Sequence, residues 1–286
     1  MIIEAVAFIG LGALGAPMAA RLLAAGHELW VHNRTPKAAQ GLIEAGAHWA
    51  STPTEAANAV SVLCLCLSDD SAVETVLQAA QAGLRSGALV IDFSTISPAT
   101  SQKLAAQLSV QGVRYIDAPV TGGTEGARTG TLSVLVGADP IDLAQAMPLL
   151  QVVGSRISHL GPVGAGQQAK AVNQVLVAGS YAAVAEAINL AERLQLPLAP
   201  LLEALRPGAA GSWALENRAD AMLQRDYPLG FKLALHRKDL AIALAMAEQL
   251  AVELPISAQV AALEDELIAA GHSDSDVSAL AEWFRA

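Results

Sequence analysis

Charge is scarce in this chain. Asp, Glu, Lys and Arg make up 15% of its 286 residues, against about 25% in an average soluble protein. Cations are scarcest: 17 Lys and Arg stand against 27 Asp and Glu, a net charge of −10. The acid excess runs through both halves, 8 cations against 12 acids in residues 1–162 and 9 against 15 in residues 163–286. No basic run is available to neutralise a phosphate backbone, so nucleic acid is excluded as a partner. Cysteine is limited to Cys64 and Cys66. They alternate within one apolar strand and so share a face, which excludes a disulfide framework and reads as small buried apolar side chains. The six His are scattered, with no pair at metal-ligand spacing, and no metal is expected. Long charge-free runs are missing as well. The longest is the 16 residues Ala5 to Ala20, which holds three Gly and one Pro and falls short of the roughly 18–20 needed to span a bilayer. Glu4 stands where a signal peptide would carry positive charge. The expected location is cytoplasmic, with no membrane partner.

What the chain does have is apolar bulk: 53% hydrophobic residues and a mean hydropathy of +0.42. Its length suits two domains. Over residues 1–162 short apolar runs alternate with helical patterns. The strand runs are Ala5–Ile9, Leu29–His32, Val62–Leu67, Ala88–Asp92, Arg114–Asp117 and Thr131–Val136. Helical segments are expected from Pro17 to Ala25, Pro36 to Ala45, Ser71 to Ala82 and Pro98 to Leu108. Alternating β and α elements with continuous apolar strands predict a doubly wound, mostly parallel α/β sheet covered on both faces. After Gly161-Pro162 the strand runs stop. Ala- and Leu-rich stretches follow, punctuated by Pro197, Pro207, Pro228 and Pro255. Residues 163–286 are therefore expected to form an all-helical domain, joined to the first by one long helix over about 166–195. This half holds more apolar surface than a small domain can cover, which predicts a homodimer or homotetramer.

Gly10-Leu11-Gly12-Ala13-Leu14-Gly15 reads G-x-G-x-x-G directly after a strand and opens a helix with Pro17 in its first turn. The first glycine permits the turn, the second lets a pyrophosphate approach the backbone, and the third lets helix and strand pack closely. The phosphates then meet N–H groups at the helix N-terminus. At the end of the second strand an NAD enzyme usually places Asp or Glu for the ribose 2′-OH. This chain has Asn33-Arg34-Thr35. A guanidinium with two hydrogen-bonding neighbours suits a 2′-phosphate, so NADP(H) is expected over NAD(H).

Ligands in such sheets bind beyond the carboxyl ends of the strands. Ser94-Thr95 and Thr121-Gly122-Gly123 fall there. The two glycines with their hydroxyl neighbour form either a backbone cradle for a carboxylate or a bare turn. Gly164-Ala165-Gly166 opens the long helix, and Lys170, Asn173 and Gln174 share one of its faces. A polar stripe on an otherwise apolar helix calls for a function, and a desolvated amine is able to transfer the proton that carbonyl reduction needs. Lys238-Asp239 opens another apolar helix, as an exposed start or as part of a site.

Together these residues resemble the β-hydroxyacid dehydrogenase family over essentially the whole chain. Phe8 to Ala19 is similar to the family's opening motif, with Leu14 where Met is usual. Asp117-Ala118-Pro119-Val120-Thr121-Gly122-Gly123 resembles the substrate motif, with Thr121 where Ser is common. Gly164-Ala165-Gly166 with Lys170 and Asn173 resembles the catalytic motif, and Lys238-Asp239-Leu240 the C-terminal one. The resemblance implies a Rossmann-type first domain and a set of roles. Lys170 would donate a proton to the carbonyl oxygen in reduction and accept it in oxidation. Asn173, Gln174 and Asp239 would bind substrate. Thr121, Gly122 and Gly123 would hold its carboxylate. Thr95 and Lys238 would meet the nicotinamide end of the cofactor, and Leu67 and Ser68 the track from adenosine to ribose. Lys170-Ala171-Val172-Asn173-Gln174 is similar to the tartronate semialdehyde reductase branch rather than to the Lys-x-x-Asn-Asn of hydroxyisobutyrate dehydrogenases. Ala210-Gly211-Ser212, Leu235-His236 and Ser278-Ala279-Leu280 look like that branch too, although it often carries an acid where Asn33 stands. The implied reaction is reversible reduction of a short carboxylated aldehyde to a hydroxy acid, tartronate semialdehyde to glycerate above all. The alternatives are 3-hydroxyisobutyrate oxidation and succinic semialdehyde or glyoxylate reduction. An imine reductase is disfavoured by Lys170, and a non-catalytic dinucleotide sensor by Lys170, Asn173 and Lys238 together.

Overall fold

The computed structural model describes residues 5–285; Glu4, the residue set against a signal peptide, lies outside them. The chain divides into two compact units, Met1–Lys170 and Ala171–Ala286.

The first unit is built on strands β1 (Ala5–Ile9), β2 (Glu28–His32), β3 (His48–Trp49), β4 (Val62–Leu65), β5 (Leu89–Asp92), β6 (Arg114–Asp117), β7 (Val120–Thr121), β8 (Leu132–Gly137) and β9 (Gly154–Gly161). Their order is β3-β2-β1-β4-β5-β6-β8-β7, with β9 also on β8. From β3 to β6 every pair is parallel. β8 is antiparallel to β6 and β7 and parallel to β9. The chain leaves β1 toward β2 on one side and returns to β4 on the other, which places the topological switch point between β1 and β4.

Helices α1 (Gly15–Ala24), α2 (Gln40–Glu44), α3 (Pro53–Asn58), α4 (Asp70–Ala80), α5 (Pro98–Ser109), α6 (Gly123–Thr129) and α7 (Pro140–Val153) cover this sheet. Strand alternation sends Val6, Phe8, Val62, Cys64, Leu89 and Ile91 to one face, against Met18 and Leu22 of α1 and Leu149 and Leu150 of α7. Ala7, Ile9, Leu63, Leu65, Val90 and Tyr115 go to the other, against Val73 and Leu77 of α4 and Leu104 and Leu108 of α5. Both faces are dry, which is why the strands read as unbroken apolar runs. Cys64 is buried in the first cluster and Cys66 packs against the same one. Four helices start on side-chain caps: Thr52, Asp69, Ser97 and Asp139 accept from the N–H of Glu55, Ala72, Thr100 and Ile141.

The long helix is α8 (Ala165–Arg193), and the unit boundary falls within it. The second unit adds α9 (Leu198–Leu205), α10 (Trp213–Gln224), α11 (Leu233–Gln249), α12 (Pro255–Leu267) and α13 (Leu280–Arg285). Its core joins Tyr181, Ala185 and Ile188 of α8 to Leu202, Leu215, Met222, Leu233, Leu240, Val260, Leu267 and Leu280. α8 qualifies the expectation about membranes. By length and composition it is long and apolar enough to cross one, with a window of mean hydropathy 1.3 that is 39% buried. One such helix is weak evidence for a membrane, because a core helix passes the same test, and its Gln167, Lys170 and Gln174 are buried.

Candidate active site

The glycine loop shows three separate demands. Gly10 has φ +98°, and a Cβ there would lie 2.2 Å from the Cys66 carbonyl oxygen, so β1 and β4 approach each other at this point only without a side chain. A Cβ at Gly15 would lie 1.9 Å from the Gly10 carbonyl oxygen and 3.2 Å from the Phe8 ring. Around Gly12 nothing lies within 4 Å of that position. Helix α1 then starts at Gly15, and Leu14 before it supplies no side-chain cap, unlike the residues before α3, α4, α5 and α7. An open glycine beside an uncapped helix start offers backbone N–H groups to an anion. These residues fit a dinucleotide pyrophosphate.

Asn33 follows β2 directly and ties the strand's end to the loop. Its Oδ1 accepts from Leu11 N at 3.0 Å, and its Nδ2 donates to the Thr35 carbonyl at 3.0 Å. Arg34 and Thr35 are exposed. Among the described residues Arg34 has no hydrogen bond or ion pair. Beyond β4, Leu67 N donates to Ser94 Oγ at 2.9 Å and Ser68 Oγ donates to Asp69 at 2.7 Å.

β5 and β6 end side by side on two carboxylates, Asp92 and Asp117, which are register partners and both fully buried. Asp92 accepts from Ser94 N at 2.9 Å and from the Tyr115 hydroxyl at 2.8 Å. Burial pushes its pKa up to about 6 despite these bonds. Asp117 accepts from Gly164 N at 2.7 Å through Oδ1 and from Gln167 N at 2.8 Å through Oδ2. It is thus the N-terminal cap of α8, supplied from a strand 47 residues earlier, and desolvation lifts its pKa too, to about 6. Neither Asp117 as a cap nor Gln167 was visible in the sequence. Gln167 is 1% exposed. Its Nε2 donates to the Ser94 carbonyl at 2.8 Å and its Oε1 accepts from Ile96 N at 3.2 Å. The amide therefore brackets Thr95 from both sides and pins that loop to the first turn of α8. Lys170, 7% exposed, lies three residues further along the same helix.

Thr121 ends β7, half-buried, and Gly122 and Gly123 follow with φ +129° and +64°. Two successive positive φ values are open at little cost only to glycine. In the second unit Asn173, Gln174, Lys238 and Asp239 form one connected group. Asn173 Nδ2 donates to Gln174 Oε1, Gln174 Nε2 donates to Asp239 Oδ2, and Lys238 Nζ meets Asp239 Oδ1, each at 2.7 Å. Asp239 is 3% exposed, so the start of α11 is not the solvated charge cluster its sequence allowed.

Residues 5–161 match the family described as the NAD binding domain of 6-phosphogluconate dehydrogenase. Residues 164–284 match the NAD-binding family of NADP-dependent 3-hydroxyisobutyrate dehydrogenase. The chain is 38% identical to 2-hydroxy-3-oxopropionate reductase of Escherichia coli over 279 residues, covering 96% of this chain and 95% of that one. It is 38% identical to 3-hydroxyisobutyrate dehydrogenase of Pseudomonas aeruginosa over 263 residues, 88% of each chain. The solved structure of 3-hydroxyisobutyrate dehydrogenase of Mycobacterium tuberculosis with L-serine superposes with a TM-score of 0.89 at 32% identity, covering 100% of both chains. The glycine loop, the capped helix carrying Lys170 and these relationships lead to one assignment: the chain belongs to the β-hydroxyacid dehydrogenase family of NAD(P)-dependent oxidoreductases.

Proposed function

We propose that this chain is an NADP(H)-dependent reductase of a short carboxylated aldehyde, with tartronate semialdehyde and glycerate as the favoured pair. The observation that carries this reading is Lys170, 7% exposed on a helix anchored by Asp117 and Gln167, one turn before Asn173. In this reading residues 1–162 bind the dinucleotide and residues 163–286 serve substrate and assembly. Gly10 to Gly15 seat the pyrophosphate, with Leu67 and Ser68 beside the ribose track and Thr95 and Lys238 toward the nicotinamide. The bound cofactor supplies the hydride. Thr121, Gly122 and Gly123 hold the substrate carboxylate, and Asn173 orients the reacting end. Lys170 gives the proton that the new hydroxyl needs and takes it back in oxidation. Arg34 supports the NADP(H) preference: it is exposed, and no carboxylate stands at the end of β2 to repel a 2′-phosphate.

One assay tests the reading. kcat/KM is compared for tartronate semialdehyde, succinic semialdehyde and glyoxylate with NADPH and NADH, and for 3-hydroxyisobutyrate in oxidation. Tartronate semialdehyde with NADPH is expected to lead, with NADPH ahead of NADH by about tenfold or more. Equal or better use of NADH removes the cofactor preference. A lead for 3-hydroxyisobutyrate removes the substrate choice. In the same assay Lys170→Ala is expected to lower kcat about 100-fold or more while NADPH affinity holds. A silent panel with tight NADPH binding indicates a dinucleotide sensor instead.

A further inference from the structure

The group formed by Asn173, Gln174, Lys238 and Asp239 has a chemical direction. An ionised carboxylate only accepts hydrogen bonds. Asp239, 3% exposed, therefore takes a donor on each side: the Lys238 ammonium on Oδ1 and an amide NH₂ of Gln174 on Oδ2. With its NH₂ committed to Asp239, Gln174 presents its carbonyl oxygen to Asn173. Asn173 answers with its own NH₂, and the end of the chain is Asn173 Oδ1, an acceptor. The opposite order would set oxygen against oxygen at 2.7 Å beside a residue that is 1% exposed, an arrangement burial makes costly. The charge on Asp239 thus decides which atom Asn173 offers.

We propose that Asp239 and Gln174 are positioning residues that hold the Asn173 amide oxygen toward the substrate, and that this selects substrates carrying a hydrogen-bond donor on the carbon beside the reacting one. The inference rests on the reading above, in which Asn173 touches substrate. A carbonyl oxygen is itself an acceptor and has no use for Asn173 Oδ1, so the reacting oxygen is left to Lys170. A hydroxyl or an ammonium on the neighbouring carbon satisfies Oδ1, and a methyl leaves it unpaired. Asp239→Asn reverses the direction. The Lys238 ammonium attracts the oxygen of the new amide, whose NH₂ then faces Gln174. Gln174 in turn presents its NH₂ to Asn173, and Asn173 ends on a donor.

Three 3-hydroxy acids with one skeleton separate the possibilities in oxidation with NADP⁺: serine, whose ammonium only donates; glycerate, whose hydroxyl donates or accepts; and 3-hydroxyisobutyrate, whose methyl does neither. In Asp239→Asn the loss of kcat/KM is expected to be largest for serine, intermediate for glycerate and smallest for 3-hydroxyisobutyrate. The first and last should differ by at least about tenfold, with KM carrying more of the difference than kcat. Asp239→Glu, which restores the acceptor, is expected to return serine turnover. Equal losses for all three substrates mean that Asp239 merely supports the fold, and that overturns the proposal. A wild-type enzyme that takes 3-hydroxyisobutyrate far better than serine and glycerate also overturns it, while leaving the dehydrogenase reading intact. No oxidation of any of the three removes the tartronate semialdehyde and glycerate reading on which the proposal rests, and leaves the family assignment standing. Should Asp239→Asn not fold, Asn173→Ala carries the same ordering, because it removes the amide oxygen without touching the buried carboxylate.

Discussion

The two units organise their polar groups in different ways. In the unit that ends at Lys170, side chains mostly meet backbone. Asn33 holds Leu11 N, Asp117 holds the N–H groups of Gly164 and Gln167, and Gln167 holds the Ser94 carbonyl and Ile96 N. In the unit that begins at Ala171, side chains mostly meet side chains. Gln174 meets Asp239, His236 meets Glu264, and Arg285 meets Glu192. A backbone-built site depends on glycines, caps and turns at fixed local spacing. A side-chain network joins residues 65, 28 and 93 positions apart and leaves no local spacing behind. The first kind tolerates substitution only where the backbone has room, whereas the second fails when one partner is stranded.

The largest expected effect is on the backbone side of this contrast. Gly15→Ala puts a Cβ 1.9 Å from the Gly10 carbonyl oxygen, so α1 has to leave its seat on β1. The expected outcome is loss of NADPH binding by at least about 100-fold in a fluorescence titration, with destabilisation of about 3 kcal/mol or more in urea. Gly12→Ala is the control. Its Cβ meets open space, so stability should stay within about 0.5 kcal/mol of wild type while affinity for NADPH falls. Matching behaviour of the two variants would show that the loop glycines do not divide the work between packing and ligand approach.

The side-chain counterpart is His236 with Glu264. Both are 0% exposed, His236 Nδ1 lies 2.6 Å from Glu264 Oε1, and the His236 ring packs edge-on against Phe231. His236→Leu strands a buried carboxyl group and is expected to cost about 3 kcal/mol in urea unfolding. His236→Leu with Glu264→Leu should cost less than the two single changes summed, by about 1.5 kcal/mol or more. Strict additivity would mean that the pair does not act as a unit, and the contrast between the units would lose its clearest case.

The same contrast explains what the sequence revealed. The runs at β1, β4 and β5 and the expected helix over 166–195, found at Ala165–Arg193, were legible because each is a local pattern: continuous burial, or a long stretch without a breaker. β9 was missed because Ser155, Arg156, Ser158 and His159 make it polar, and those residues are mostly exposed at the sheet's edge. α7 was missed because Pro148 lies inside it and Pro ordinarily ends a helix. α3, α6 and α13 span seven residues or fewer, too few to display a period. Within the candidate site, the glycine loop, Lys170, Asn173 and the Lys238-Asp239 pair stood out by motif. Asp117 was read as part of a strand and motif, not as the cap of a helix 47 residues later. Gln167 was one of two adjacent glutamines with nothing local to distinguish it.

The smallest expected effect concerns the buried carboxylates of the backbone-built unit, and its sign is specific. Asp92 has its pKa raised from 3.8 to about 6, chiefly by burial. The folded chain therefore binds this proton more tightly than the unfolded chain does. The resulting stability is fully present below pH about 4 and is lost as pH rises through about 6, about 2 kcal/mol of it between pH 4.5 and 7.5. Asp92→Asn carries no titrating group, so its stability relative to wild type should climb by that amount between pH 4.5 and 7.5. Unfolding midpoints in urea at four pH values across that range measure the climb. The bonds from Ser94 N and the Tyr115 hydroxyl favour the charged form and so shrink the climb without cancelling it. A flat difference would mean that those two donors fully compensate the desolvation of Asp92, and that a backbone-built site is able to hold a buried charge without penalty.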